Sequence, residues 1–217
     1  MRFFWGNIKP LLIAFLLILL ATGLLSLIKP KGIISDEAGN WEKNNNVLGA
    51  TTANNCPGIT FLDILVDKNF SIPTDYMPPD LVEIEGHKLR SETANELKVM
   101  LYDARASGFN FKVYSGYRSF EEQNKLYQSL GNRAAPPGHS EHQLGTAMDL
   151  TYSGKTWNWL DQNAHKYGFV MSYRGTQQNQ TGYQFEPWHW RYVGVDLANK
   201  IRYSTNSPQS FYRKISC

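Results

Sequence analysis

The chain has 217 residues and a formal net charge of +3, which leaves room for one domain of ordinary size after allowance for a terminal segment. Its lysines and arginines are interspersed with Asp and Glu, and the sequence carries no basic stripe and no nucleic-acid-binding motif. The composition therefore gives no reason to expect a nucleic acid as a partner.

An apolar segment without charge, residues 11–28, lies near the N-terminus. A helix of this length spans about 27 Å, close to the thickness of a bilayer core, so a membrane segment is predicted. The alternative is a cleaved signal peptide, but no A-x-A-like site follows, and the segment is long for a signal peptide. We therefore expect residues 1–31 to form a cytoplasmic tip and an uncleaved signal anchor, with the rest of the chain outside the cell.

Residues 32–58 are rich in Asn, Gly and Thr and lack a hydrophobic period, which predicts a flexible linker. A coil of this length would hold the following domain about 30 Å from the membrane. Cys56 lies in this linker, and Cys217 is the other cysteine of the chain. Their separation fits neither a CxxC motif nor a zinc knuckle; in an exported protein the two could pair, or they could stay free thiols.

A folded domain is predicted over residues 59–217. Its predicted elements, in chain order, are a helix from the capping box Thr93–Glu96 to Gly108, a strand over 109–113, a helix from the capping box Ser119–Glu122 to Gly131, a strand over 146–150, a helix over 157–167 capped by Thr156, and strands over 169–173 and 188–193. Because helices and strands come in separate batches, we expect an α+β fold with a small, mainly antiparallel sheet and flanking helices.

Three residues in this domain form a candidate metal site: His142, Asp149 and His189. Two imidazoles and one carboxylate are a ligand set that zinc accepts, and three protein ligands leave a fourth position for water, as in catalytic sites. In a strand over 146–150, Asp149 lies on the face opposite Met148, which can face the core. On spacing alone His139 is a rival ligand, and ordinary hydrogen-bonded roles for these side chains stay open.

A carboxylate precedes the last candidate ligand by three residues, in the stretch EPWHW over 186–190. Pro187 disfavours helix at Glu186, so the carboxylate is predicted at the entrance of a strand. Beside a metal site, Glu186 would act as a general base and acid. Without a metal nearby it would be an ordinary surface residue on a turn.

A third cluster follows the predicted strand end at 114-YSGYRSFEEQ-123. Arg118 lies between a strand and a helix, a position where loops present functional side chains. Its guanidinium could bind a substrate carboxylate or an oxyanion, with Ser115 and Gln123 adding hydrogen bonds. An ordinary salt bridge is the alternative role for the arginine.

Taken together, the stretches YSGYRS, GHSEHQLGTAMDL, GFVMSY and EPWHWRYVG, in this order, resemble the VanY-type D-alanyl-D-alanine carboxypeptidases. That family belongs to a zinc peptidase superfamily that includes the lysostaphin-type endopeptidases and the hedgehog signalling domain. The resemblance runs from about Leu89 to Val195. It implies a fold like that of hedgehog and the D,D-peptidases.

The resemblance also implies a role for each matching residue. The zinc ligands would be His142, Asp149 and His189, which decides against His139. Glu186 would be the catalytic base and Arg118 would act on the scissile carbonyl or the terminal carboxylate. Residues near the substrate would be Ser115, Gln123, Ser140 and Tyr173. The chain departs from the family after Tyr173, where a polar insert over 174–182 replaces the usual proline and is expected to line the rim of the cleft.

The function expected from the resemblance is zinc-dependent removal of the terminal D-alanine from peptidoglycan stem peptides. Two other cuts of the same substrate stay open: an L,D cut of the tetrapeptide and an endopeptidase cut in a cross-bridge. A wall-binding module that keeps the zinc and has lost turnover is an alternative of another class, although such a module would not need Glu186. We expect one zinc ion per chain and a monomer at the outer face of a bacterial membrane.

Overall fold

A computed structural model describes residues 61–212 of the chain. The predicted membrane anchor, the whole predicted linker and both cysteines therefore lie outside the described residues. Among the residues that the structure describes, no helix is both long and apolar enough to cross a membrane.

The described chain contains six strands and five α-helices, joined by short 3₁₀ turns. In chain order they are β1 (Leu81–Ile84), β2 (His87–Arg90), α1 (Ser91–Ala106), β3 (Val113–Ser115), α2 (Phe120–Leu130), β4 (Ala147–Leu150), α3 (Gly154–Asn163), β5 (Phe169–Met171), α4 (Gln178–Thr181), β6 (His189–Tyr192) and α5 (Val195–Arg202). The predicted α+β class is confirmed.

Strands β3, β4, β6 and β5 form the central sheet in that spatial order, and every neighbouring pair is antiparallel. Asp149 of β4 lies opposite His189 of β6 on one side and opposite Ser115 of β3 on the other. One row across three strands thus carries three of the residues singled out from the sequence. The prediction of a small antiparallel sheet is correct.

A separate hairpin of β1 and β2 precedes α1 and was not predicted from the sequence. Its two-residue turn has positive φ at both Glu85 and Gly86, which only the glycine favours intrinsically. The pairing leads directly into α1, which begins at Ser91 after Arg90. The predicted cap at Thr93 is therefore wrong: Thr93 is buried in the first turn of the helix, and the hairpin sets the point where the helix begins.

The start of α2 follows its sequence signal closely. The Ser119 hydroxyl accepts from the backbone N–H of Glu122, and the Glu122 carboxylate accepts from the backbone N–H of Ser119. The helix ends at Gly131, as predicted. The third predicted helix begins earlier than expected, because Ser153 is its N-cap and pairs reciprocally with Thr156.

The main core lies between the sheet and helices α1 and α3. Met148 and Leu150 of β4 face it, as the alternation in the sequence predicts, and Leu97 of α1 packs in the same cluster. The predicted strand over 109–113 is wrong except for its last residue, because the strand in the structure is Val113–Ser115. Phe111 nevertheless packs in the core as expected.

Replacing Leu97 by Ala is expected to lower the free energy of unfolding by about 2–5 kcal/mol, because the side chain is completely buried and its loss leaves a cavity. Val99 lies on the same helix but is half exposed. Its replacement by Ala should change the free energy by no more than about 0.5 kcal/mol. Urea denaturation of the full-length chain measures both values, and equal effects of the two variants would contradict the assigned core.

Candidate metal and active site

The structure brings the three predicted ligands together at one edge of the central sheet. His142 lies in a 3₁₀ turn before β4, while Asp149 and His189 are cross-strand partners. One atom from each of the three residues lies within 4.8 Å of the others. The Asp149 Oδ1 atom is 3.4 Å from His142 Nε2 and 3.3 Å from His189 Nδ1. The three side chains thus present a common point for a bound ion.

Hydrogen bonds on the far side of each imidazole fix which ring nitrogen faces this point. His142 Nδ1 donates to the backbone carbonyl of Gly116 at 2.7 Å, and His189 Nε2 donates to the carboxylate of Glu141 at 2.9 Å. A carbonyl and a carboxylate only accept, so both protons lie on these outer nitrogens. The inner nitrogens, His142 Nε2 and His189 Nδ1, face each other at 3.2 Å. In the neutral form of both rings, two nitrogen lone pairs and a carboxylate oxygen converge.

The electrostatics of the site favour a positive charge at its centre. Burial raises the pKa of Asp149, but the neighbouring His142 and His189 outweigh burial and hold that pKa well below its usual range. Burial lowers the pKa of His189, but contacts with the carboxylates of Asp149 and Glu141 outweigh it and raise the pKa to about 10. In the metal-free chain His189 therefore holds a second proton, on its inner nitrogen, and a metal ion at this point would take the place of that proton.

The donor set fits a zinc ion. Nitrogen and carboxylate oxygen are zinc donors, and three protein ligands with one open side match a catalytic site. Asp149 Oδ1 is buried, and among the described residues its contacts are the two ring nitrogens at 3.3 and 3.4 Å, which do not form well-aligned hydrogen bonds with it, so a cation there would compensate the buried charge. The ring nitrogens and this oxygen could thus hold the ion without rearrangement of their outer hydrogen bonds.

His139 has a different position from the three ligands. Its Nδ1 lies 2.6 Å from the backbone carbonyl of Asp67, and its side chain is only half buried. Among the described residues, the group that could hold a metal does not include it. The structure therefore agrees with the choice of His142 over His139.

Glu186 lies in the turn before β6, as predicted. Its N–H donates to the carbonyl of Tyr173, and its own carbonyl accepts from the N–H of His189. These backbone hydrogen bonds hold Glu186 next to the candidate ligand His189. The side chain is half buried and lines the same cleft as the three ligands. Burial raises the pKa of Glu186. A carboxylate with a raised pKa is suited to accepting and returning a proton.

Arg118 is held in place by the two residues predicted to assist it. Its Nε donates to Gln123 Oε1 at 2.8 Å, and one terminal nitrogen donates to Ser115 Oγ at 2.6 Å. The same terminal nitrogen lies 4.0 Å from Asp149 Oδ2. Gln123 in turn donates to the carbonyl of Ala135. The hydrogen bonds to Gln123 and Ser115 thus hold the guanidinium beside the candidate metal ligand Asp149.

A cleft of about 240 Å³ leads to the three ligands. All of the predicted site residues except Ser115 line it, namely Arg118, Gln123, Ser140, His142, Asp149, Tyr173, Glu186 and His189. Ser115 contacts Arg118 instead. The Tyr173 ring lies 5.0 Å from the His189 ring and 4.5 Å from the ring of Tyr183, which also lines the cleft.

The polar insert over 174–182, predicted to line the rim of the cleft, contributes no residue to the cleft lining. It folds into a short 3₁₀ turn and α4, and the buried Gln177 donates to the carbonyls of Thr205 and Asn206. The insert therefore packs toward the C-terminal part of the described chain.

Sequence reasoning missed a buried ionic cluster behind His189. Glu141 accepts from His189, from Arg191 at 3.0 Å and from Ser172 at 2.5 Å. Burial raises the pKa of Glu141, but the charge of Arg191 and the hydrogen bonds lower it to about 2. The sequence did contain a signal: Glu141 directly precedes His142, and Arg191 follows His189 by two residues.

Comparison with known proteins agrees with this geometry. Residues 86–195 match the family model described as VanY, D-alanyl-D-alanine carboxypeptidase. The protein YodJ of Bacillus subtilis, named as a candidate carboxypeptidase, is 33% identical over 185 residues. That alignment covers 70% of this chain and 67% of YodJ.

Three solved structures are also similar and each covers 70% of this chain. A vancomycin-resistance D,D-pentapeptidase VanY variant in complex with Zn(II) is 30% identical, with a TM-score of 0.63 and 99% of its own chain covered. VanYB in complex with D-alanine-D-alanine has the same identity and TM-score, with 97% covered. The LD-carboxypeptidase LdcB is 32% identical, with a TM-score of 0.62 and 86% covered.

The family match covers the 3₁₀ turn and the two strands that carry the three candidate ligands, and it includes Arg118 and Glu186. The same residues were singled out from their chemistry and from the resemblance, and the structure places them around one cleft. The chain therefore belongs to the VanY family of D-alanyl-D-alanine carboxypeptidases.

Proposed function

We propose that this chain is a zinc-dependent carboxypeptidase that removes the terminal D-alanine from peptidoglycan stem peptides ending in D-Ala-D-Ala. The observation that carries the proposal is the shared cleft: the Glu186 carboxylate and the Arg118 guanidinium line the same space as His142, Asp149 and His189. A relative in complex with zinc and another in complex with D-alanine-D-alanine support the metal and the substrate class.

The proposed reaction is hydrolysis of the last peptide bond by water. Zinc would supply a Lewis acid that polarises the scissile carbonyl and acidifies water. Glu186 accepts the proton of the attacking water and then donates it to the leaving amine of D-alanine. Partial burial of Glu186 keeps its pKa above that of an exposed carboxyl, which favours the return of the proton.

Arg118 would stabilise the negative charge that develops on the carbonyl oxygen, or bind the terminal carboxylate of the peptide. Its hydrogen bonds to Ser115 and Gln123 hold the guanidinium before substrate arrives, so little reorganisation is needed during the reaction. Ser140 and Tyr173 line the same cleft and would contact the substrate near the scissile bond.

Arg118→Lys is expected to reduce kcat/KM for D-alanine release by roughly 10²–10³-fold, because a lysine keeps the charge but loses the forked hydrogen bonds. The matched control is Arg105→Lys on the exposed part of α1, where the arginine forms an exposed ion pair with Glu85. Steady-state kinetics with a D-Ala-D-Ala peptide distinguishes the two variants. Equal rates for Arg118→Lys and wild type would remove Arg118 from the mechanism.

An L,D cut of the tetrapeptide is a second candidate activity. The observation in its favour is the similarity to LdcB, an LD-carboxypeptidase. This chain is as similar to LdcB, in sequence identity and in TM-score, as it is to the VanY structure. The chemistry at Glu186 would be the same, and only the residue accepted before the terminal D-alanine would differ.

We further propose that the protein acts at the outer face of the cell membrane, tethered by the apolar segment over 11–28. The charge-free segment and the following polar linker support this location, since the wall substrate lies outside the membrane. A monomer is sufficient, because the described chain supplies every proposed site residue itself.

The test is incubation of the full-length, zinc-loaded chain with muropeptides ending in D-Ala-D-Ala and, separately, with tetrapeptides. We expect the pentapeptide to lose one alanine by mass, and a chelator to stop this loss. Cleavage of the tetrapeptide alone would replace the D,D assignment by the L,D activity. A larger mass loss would indicate an endopeptidase, and zinc binding without any product would indicate a binding module.

A further inference from the structure

The metal site has a buried support behind His189. Glu141 and Arg191 form an ion pair at 3.0 Å whose side chains are both completely buried. Such a pair is stable only when further hydrogen bonds compensate the lost hydration of both groups. Glu141 gains them from His189 and from the Ser172 hydroxyl.

Arg191 obtains two further hydrogen-bond acceptors from a segment that precedes the family match. One terminal nitrogen donates to the backbone carbonyl of Ile64 at 2.7 Å and to that of Leu62 at 3.1 Å. Ile64 and Val66 are buried against Leu144, which lies in the same 3₁₀ turn as His142. Residues 61–66 are therefore packed into the domain beside the metal site, although they lie outside residues 86–195.

A second segment beyond the family match reaches the same cluster from the C-terminal side. The ring of Tyr212 lies over the guanidinium of Arg191 at 4.1 Å. Gln209 donates through its side-chain amide to the carbonyl of Ser172 at 3.2 Å. Residues 207–212 thus contact both groups that hold the Glu141 carboxylate.

We propose that the segments 61–66 and 207–212 complete the metal site from outside the family-matched region: they fix Arg191 and Ser172, which hold Glu141, which in turn orients the ring of His189. Glu141 and Arg191 are positioning residues in this account. The proposal rests on the proposed zinc site and adds the parts of the chain that set its affinity.

The physical reason is the geometry of a histidine ligand. A hydrogen bond on the outer nitrogen fixes the ring orientation and increases the basicity of the inner nitrogen, and loss of such a partner typically costs 10–100-fold in metal affinity. Glu141 can supply this bond only if its carboxylate stays in place. Its position is fixed by Arg191 and Ser172, so the two flanking segments should act on zinc affinity through them.

The first experiment measures the zinc dissociation constant of the full-length chain by competition with a chelator. Glu141→Gln is expected to raise this constant roughly 10–100-fold. The control Glu92→Gln makes the same change in another carboxylate that accepts from a β6 side chain, the hydroxyl of Tyr192. It should leave the constant unchanged. Ser172→Ala removes one hydroxyl only, is expected to fold, and should weaken zinc by a few-fold.

A second pair of variants tests the segment over 207–212. Tyr212→Ala removes the ring from Arg191 and is expected to weaken zinc binding, whereas Tyr212→Phe keeps the ring and should retain the wild-type constant. Thermal unfolding in the presence of chelator is recorded for each variant. A purely structural role would lower the apo-protein melting temperature without changing the zinc constant of the folded protein.

The outcomes separate this proposal from the proposed function. If the wild-type chain binds no zinc, the zinc site itself is wrong, and the proposal fails with it. If the wild type binds zinc and releases D-alanine while Glu141→Gln and Ser172→Ala bind zinc as the wild type does, the positioning role of Glu141 is overturned and the function stands. If those two variants weaken zinc but Tyr212→Ala does not, the role of the segment over 207–212 is overturned.

Discussion

Replacing Glu186 by Gln is expected to slow D-alanine release roughly 10²–10⁴-fold while the chain keeps one equivalent of zinc. The amide has nearly the same shape as the carboxylate but cannot accept the proton of the attacking water. Since Glu186 lies in the cleft and is not one of the three candidate ligands, the metal should stay bound. The measurement is kcat on a D-Ala-D-Ala peptide together with zinc content.

Glu121→Gln is the matched control, because Glu121 is exposed on the first turn of α2 and pairs there with Lys125. It should have wild-type activity. If Glu186→Gln retained more than a tenth of the wild-type rate, a different group would have to move the proton. If it lost the zinc, Glu186 would belong to the metal site and its proposed role would be wrong.

His142→Ala is expected to remove both zinc and activity. The loss of a direct ligand should exceed the 10–100-fold loss of affinity that is typical for an outer hydrogen-bond partner. The variant also leaves Asp149 Oδ1 and the inner nitrogen of His189 without the third donor that completes the site. Zinc content after dialysis and D-alanine release are measured on the same sample.

His139→Ala is the control for this variant, because it is the nearby histidine that spacing alone could not exclude. Its ring bonds to the Asp67 carbonyl, away from the three ligands, so zinc content should stay at one equivalent. The opposite pattern, with zinc retained in His142→Ala and lost in His139→Ala, would contradict the ligand assignment.

Local signals in the sequence predicted several elements well. The Ser119 and Glu122 pair predicted the start of α2 because both halves of a capping box are made within one turn of helix. The same pattern at Thr93 was misleading, since the hairpin before α1 sets where that helix begins. The pairing of β1 with β2 depends on a turn that contains Glu85 at positive φ, and glutamate gives no sign of such a turn.

The residues around the cleft were predictable for a different reason. Metal ligands and a general base must be particular residue types, so His142, Asp149 and Glu186 stand out from their chemistry before any fold is known. The choice of His142 over His139 as a ligand, however, required the resemblance to a known family. Their roles remain predictions, which the variants above test.

The pairing of Glu141 with Arg191 behind the site could not be predicted from the sequence, although each residue lies close to a candidate ligand in the chain. Glu141 and Arg191 are 50 residues apart, and each looks like an ordinary surface charge when read alone. Only the pairing of β4 with β6 and the return of residues 61–66 bury both groups together. Long-range packing of this kind leaves no periodic signal in the chain.

The central claim is tested most directly by titrating zinc into the chelator-treated, full-length chain while D-alanine release from a D-Ala-D-Ala stem peptide is followed. The account predicts no release without metal and a rise that ends at one zinc per chain. Release at full rate from metal-free protein would contradict it. So would one bound zinc per chain with no product from any stem peptide.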